Sequence, residues 1–184
     1  QQESFSGLFL LLILIVILVY VVMASQFESL LDPFVIMFSV PFAITGVLIG
    51  LAVTDMALGV MALIGILILV GIVVKNGIVL IDYAILCHDR GMDINTAVVT
   101  ASKQRLRPIL MTTLTTVLGM VPMAIGAGEG AEMWNGLGIT VAWGLSVSTL
   151  ITLILIPALY AAFVSRRERR QAKRAAHKAL KEQN

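Results

Sequence analysis

Apolar residues run along this chain in five long blocks. Residues 5–27 carry no charge, with a dense core from Leu8 to Ala24. Residues 33–54 are charge-free between Asp32 and Asp55, and residues 56–81 are interrupted only by Lys75. Residues 108–128 and 133–165 are clean as well. Each block reaches the roughly 20 residues that a helix needs to cross a bilayer. The blocks are continuous and do not alternate every second residue, which excludes barrel strands. Backbone groups in lipid must then be satisfied within helices. The pattern predicts an all-α fold: a polytopic membrane bundle of five transmembrane helices, at about 6–26, 33–53, 57–86, 108–127 and 133–164. The bundle occupies 1–165, and 166–184 form a basic tail.

The connections fit these spans. Pro33 and Pro108 stand where a first helical turn tolerates proline, so each is read as opening its helix. Thr54-Asp55 is a candidate cap for the third helix. Residues 126–130, Gly-Ala-Gly-Glu-Gly, read as a flexible acidic turn. The one long connection is 87–107. Within it Asp93-Ile94-Asn95-Thr96 reads as a helix start, and Ala97, Val98 and Ala101 form a narrow apolar stripe, the pattern of a short helix lying on the membrane surface.

Composition narrows the class. Of 184 residues 59% are hydrophobic and 13% charged, with mean hydropathy +0.98. That excludes disorder, a disulfide-stapled secreted scaffold and most cytosolic enzymes. The spans use up the chain and leave no room for a soluble domain. The single cysteine, Cys87, excludes an internal disulfide and a multi-cysteine metal site. No basic stretch precedes the first apolar run at Gln1, so the start reads as a piece of a longer protein and not as a signal peptide. The net charge of +2 conceals a split: residues 165–184 hold eight of the 13 Lys/Arg and two of the 11 acids, leaving five bases and nine acids for 1–164. Apart from Lys75, every base lies in the 87–107 connection or in the tail. Two helices separate these regions, so they share a side, and the positive-inside rule makes it cytoplasmic. The turns near 55 and 130 carry only acids and face outward. The tail is either solvated or held against anionic headgroups; nothing in it points to nucleic acid.

Lys75 breaks the pattern, in Val73-Val74-Lys75-Asn76-Gly77. A lysine at membrane depth costs roughly 2.5–3.5 kcal/mol on insertion scales. Snorkelling toward the surface is one escape, but Ile78-Val79-Leu80-Ile81 adds a further apolar turn beyond it. The nearest acid, Asp82, is seven residues on, about 10.5 Å along the axis and out of ion-pair reach. Either the lysine is neutral, or its carboxylate comes from a helix outside this chain. The fourth helix adds Thr112, Thr113, Thr115 and Thr116, of which the first, third and fourth share a face. Such threonines bond their own backbone or a neighbouring helix; a proton or water path is the sharper alternative. Gly46 and Gly50, and Thr140, Gly144, Ser148 and Thr152 at steps of four, read as packing seams. Asn76 fits either role. No nucleophile–base pair or metal cluster suggests an enzyme.

Three stretches carry a family resemblance: Ala24-Ser25-Gln26-Phe27-Glu28-Ser29-Leu30, Gly71 to Ile78 around Lys75, and Arg105-Leu106-Arg107-Pro108-Ile109-Leu110-Met111-Thr112. Together they resemble the last five membrane helices of a resistance-nodulation-division (RND) efflux transporter, in the hydrophobe/amphiphile branch of AcrB-like and MexB-like multidrug exporters. The resemblance covers residues 1–165. It implies a secondary active transporter, driven by the proton motive force and needing no bound cofactor or metal, in a bacterial inner membrane. It implies a lysine, here Lys75, that pairs with two aspartates on a helix of the transporter's first half, and a relay that includes Thr112 and Arg105. Asn76 joins the candidate relay as a neighbour of the lysine. It also implies a homotrimer that works with a periplasmic adaptor and an outer-membrane channel. Two rival readings are a heavy-metal exporter of the same superfamily and a non-transporting, sterol-sensor-like membrane module. A passive anchor has no reason to bury Lys75.

Overall fold

The computed structural model describes the backbone of residues 2–126 and 128–182, and the side chains of residues 6–126 and 128–173. Six helices follow in order: α1 (Gln2–Phe27), α2 (Leu31–Met37), α3 (Ser39–Val53), α4 (Val60–Asp89), α5 (Ile94–Ile125) and α6 (Asn135–Glu182), with a 3₁₀ turn at Ala131–Met133 before α6. No strand occurs among the described residues. Five segments are long and apolar enough to cross a bilayer, because α2 and α3 together make one span, Leu31–Val53.

That second span is broken where the sequence suggests one helix. Pro41 has no N–H to give to the carbonyl four residues back, and Ser39 Oγ donates to the Ile36 carbonyl at 2.6 Å. A proline and a hydroxyl inserted into the backbone ladder are ordinary causes of a helix break.

Pro108 does not open a helix. α5 begins at Ile94, where the Asp93 carboxylate accepts from the Asn95 amide at 3.3 Å, and it runs through both Pro108 and Pro122. The stripe expected to lie on the membrane surface packs into the bundle: Ala97 and Ala101 are fully buried and Val98 is 6% exposed. Tertiary burial of that stripe outweighs the bias of Arg107, as a pre-proline residue, against helical geometry. Thr54 and Asp55 do not cap the next helix. Thr54 Oγ1 bonds back to the Gly50 carbonyl at 2.8 Å, and α4 starts after Gly59 with no side-chain cap. The basic tail continues α6 as one 48-residue helix, as its Ala, Arg, Lys and Glu content favours.

α6 is the centre of the bundle, packed against α3, α4 and α5. Small residues let the backbones approach. A Cβ on Gly46 would meet Val147 and the Gly144 backbone, one on Gly50 the Trp143 side chain, and one on Gly65 the Thr140 side chain. Thr140 and Ser148 are fully buried and Thr152 is 2% exposed. The step-of-four seam is therefore a helix–helix interface, of the close-packed kind that membrane bundles use. α1 is peripheral: among its described side chains only Met23 is buried, and Phe9, Leu10, Leu14, Leu18 and Val21 are each more than half exposed.

Candidate functional site

Lys75 stands at the middle of α4, 15 residues from Val60 and 14 from Asp89. At 1.5 Å per residue that is about 20 Å from either end, deep within a span. α4 buries Val70, Val73, Val74 and Gly77, and turns Ile68, Gly71, Lys75 and Asp82 outward. Among the described residues Lys75 has no ion pair; the one acid–base contact is His88 with Glu168, far from it. The Lys75 amine thus lies on an outward stripe of the bundle with no carboxylate partner among the described residues.

The registers of the neighbouring helices locate what surrounds it. α4 and α6 run parallel and pair Gly65 with Thr140 and Gly144 with Leu69, an offset of 75 residues in each case. α5 and α6 run antiparallel and pair Thr113 with Thr149 and Ala124 with Gly138. Carrying both registers through puts Lys75 level with Leu150 on α6 and with Thr112 on α5. Lys75 and Thr112 are thereby brought to one depth on the outward side of the bundle, where both are exposed.

Thr112 Oγ1 donates to its own backbone, to the Pro108 carbonyl at 2.8 Å and the Ile109 carbonyl at 3.0 Å. Thr115 and Thr116 bond back in the same way, to Met111 and Thr112 at 2.8 Å each. A hydroxyl whose proton is so engaged keeps its oxygen lone pairs as acceptors. This row can receive N–H donors from an ammonium and has no proton of its own free to give. Asn76 is half-buried and its side chain makes no hydrogen bond among the described residues.

Arg105 lies elsewhere. Its guanidinium stacks over the Tyr83 ring, 4.7 Å from the centroid, and Tyr83 Oη donates to Gln104 Oε1 at 2.8 Å. Tyr83 is eight residues beyond Lys75 on α4, about 12 Å nearer the end of the bundle that carries the basic residues. The four sequence candidates therefore fall in two layers: Lys75, Asn76 and Thr112 in one, Arg105 with Tyr83 in the other. Arg105 Nε is buried with no hydrogen-bond partner among the described residues.

The partners in two contacts had no signal in the sequence pattern. Thr113 turns away from its three neighbours and shares a buried hydrogen bond with Thr149 at 3.1 Å, joining α5 to α6. Tyr83, the platform for Arg105, is one residue past Asp82 and carries no spacing signal. Both depend on how separate helices register, which no single helix repeat contains.

A polytopic helical membrane bundle with one cation held at mid-span is the class this architecture defines. The sequence profile of the AcrB/AcrD/AcrF family matches residues 1–164. The chain is 40% identical over 159 residues to the swarming motility protein SwrC of Bacillus subtilis, covering 86% of this chain and 15% of that protein. It is 38% identical over 174 residues to the multidrug resistance protein MdtC of Proteus mirabilis, covering 94% and 17%. A solved structure of a heavy metal efflux pump superposes with a TM-score of 0.80 at 33% identity, covering 90% of this chain and 16% of that one. The chain belongs to the AcrB/AcrD/AcrF family and is a transmembrane portion of an RND-superfamily efflux transporter. It spans about a sixth of the length of the curated relatives it matches.

Proposed function

We propose that this bundle carries half of the intramembrane proton relay of a drug/proton antiporter that exports hydrophobic or amphiphilic compounds. One observation carries the reading: an unpaired lysine at the midpoint of an apolar span, level with a row of hydroxyl acceptors. The site residues are Lys75, Thr112, Asn76 and, one layer away, Arg105. Lys75 faces an aspartate pair in the first half of the same transporter. Two carboxylates in a low-dielectric site resist ionising together, and an adjacent ammonium favours their charged forms. Protonation of the pair from the outer side removes the lysine's counter-charge. The ammonium then turns to the Thr112 and Asn76 oxygens, which can accept from it. The result is two packings of one bundle biased by a proton.

The energy source is the proton motive force, with no cofactor or metal. The working assembly is a homotrimer in the bacterial inner membrane with the α6 extension on the cytoplasmic side, coupled to a periplasmic adaptor and an outer-membrane channel. The multidrug reading is preferred to the heavy-metal one because the MdtC relatives share 38–41% identity, against 33% for the metal pump.

The test is substrate-driven proton flux by the full-length transporter in liposomes. Lys75→Ala should abolish flux and drug resistance at normal membrane levels of protein. Flux and resistance equal to those of the unaltered pump would sink the proposal.

A further inference from the structure

A cavity of about 310 Å³ lies at the basic end of the bundle. It forms where α1 ends, α2 begins and α4 ends, against residues 160–171 of α6. This is the depth at which α6 leaves its apolar run at Val164 and meets Arg166 and Arg167, the level of the lipid headgroups. Its walls mix two chemistries. Phe27, Leu31 and Phe163 form an apolar side, and Asp32, Asp89, Glu168, His88 and Arg167 a charged one.

The charges do not cancel among themselves. Glu168 is engaged with His88 at 3.3 Å. Asp32 and Asp89 form no ion pair among the described residues. Tyr160 also lines the cavity. The residue is 5% exposed, yet its hydroxyl makes no hydrogen bond among the described residues. The hydroxyl oxygen itself is not enclosed, so it opens onto the cavity and is available to a group bound there.

We propose that this cavity binds the headgroup of a phosphoethanolamine phospholipid, with the ammonium between Asp32 and Asp89 and the phosphate at Arg167 and the Tyr160 hydroxyl. Two free carboxylates ask for a cation that carries N–H donors. A primary ammonium has three, and a quaternary ammonium has none. A guanidinium beside a hydroxyl suits a phosphate oxygen. The apolar side gives the acyl chains a surface to lie on. An uncharged glycerol headgroup would leave both aspartates unpaired. The volume suits a headgroup, being at the small end of ligand pockets.

The experiment uses the full-length transporter, stripped of lipid and then offered phosphatidylethanolamine, phosphatidylcholine and phosphatidylglycerol in equal amounts in micelles. Retained lipid is read by native mass spectrometry. The expected result is retention of phosphatidylethanolamine about tenfold over the other two, the scale of hydrogen bonds to charged groups. Asp32→Asn with Asp89→Asn should erase that preference, and Tyr160→Phe should lower it several-fold, at unchanged oligomeric mass and thermal melting. Soluble phosphoethanolamine at the same concentration should not displace the lipid, since it lacks the acyl chains. Equal retention of the three lipids, a preference surviving in the double variant, or displacement by the soluble headgroup would each overturn the proposal. The Lys75 layer takes no part, so transport can fail while lipid selection stands.

Discussion

His88 Nε2, at the end of α4, stands 3.3 Å from Glu168 Oε1 on α6, while His88 Nδ1 stands 3.0 Å from the Met92 carbonyl. Both ring nitrogens face acceptors. Neutral imidazole has one N–H, so only the imidazolium can donate to both. The pair clasps the helical extension of α6 to the bundle, and Asp32, Asp89 and Arg167 share its cavity. The two side chains are 35% and 48% exposed, which limits the contact to about 0.2–1 kcal/mol. His88→Ala should therefore speed tryptic cleavage near Arg167–Arg170 by no more than about fivefold. Cleavage that is insensitive to the substitution would show that the extension is held by other contacts.

Thr113 and Thr149 are buried at 8% and 3% exposure and bond each other at 3.1 Å across α5 and α6. Hydrogen bonds between membrane helices average about 0.6 kcal/mol and reach about 1.7. Thr113→Val is expected to cost about that much by leaving the Thr149 hydroxyl without its partner. The double valine variant should cost less than the two single changes together, because it removes both halves of the bond. A thermal-denaturation cycle in detergent decides the matter, and strict additivity would mean the hydroxyls contribute only through their own backbones.

The five spans were legible because charge-free windows of spanning length need no tertiary information. Lys75 was legible for the same reason, as the one charge within them. What failed was local punctuation. Pro108 reads as a helix start by every neighbour rule, yet Ile94, Val98 and Ala101 are buried in the core, and that packing carries the helix through the proline. The break at Phe38 depends on Ser39 and Pro41 acting together within a single apolar run. In the candidate site, the lysine and the Thr112 face were visible from helix spacing. The separation of Arg105 into its own layer was not, since it follows from the meeting of Tyr83 and Arg105 across two helices.

Gly138 and Gly144 mark the tightest crossings of α6. A Cβ on Gly138 would stand 2.7 Å from the Ala124 amide nitrogen and 3.0 Å from the Met123 carbonyl carbon, both backbone atoms that cannot rotate away. On Gly144 it would press on the Leu69 and Val47 side chains at the junction of three helices. Overpacking of this kind costs about 1–3 kcal/mol. Gly138→Ala should be the worse of the two, since side chains at Gly144 can shift. Gly119→Ala, which meets nothing within 4 Å, serves as the control and should change stability by less than about 1 kcal/mol. Melting temperatures of the three variants give the ranking, and an equal effect at Gly138 and Gly119 would contradict the close crossing of α5 and α6.

Lys75 tests the separation of folding from function. α4 buries Leu69, Val70, Val73, Val74 and Leu80 on its inner side, and Lys75 contributes nothing to that packing. Replacing it with methionine, of similar length and without charge, removes an insertion cost of roughly 2.5–3.5 kcal/mol. Lys75→Met should therefore insert at least as well as the native chain. If the proposed relay is right, it should still export nothing, because an uncharged side chain cannot exchange partners when the aspartates take up a proton. Lys75→Arg keeps the charge but replaces a compact three-donor ammonium with a rigid planar fork, so export should fall well below the native level. Membrane insertion and resistance, measured on the same cells, form the readout. Well-inserted Lys75→Met that still confers resistance would remove the lysine from the mechanism. Loss of insertion together with resistance would move its role from transport to assembly.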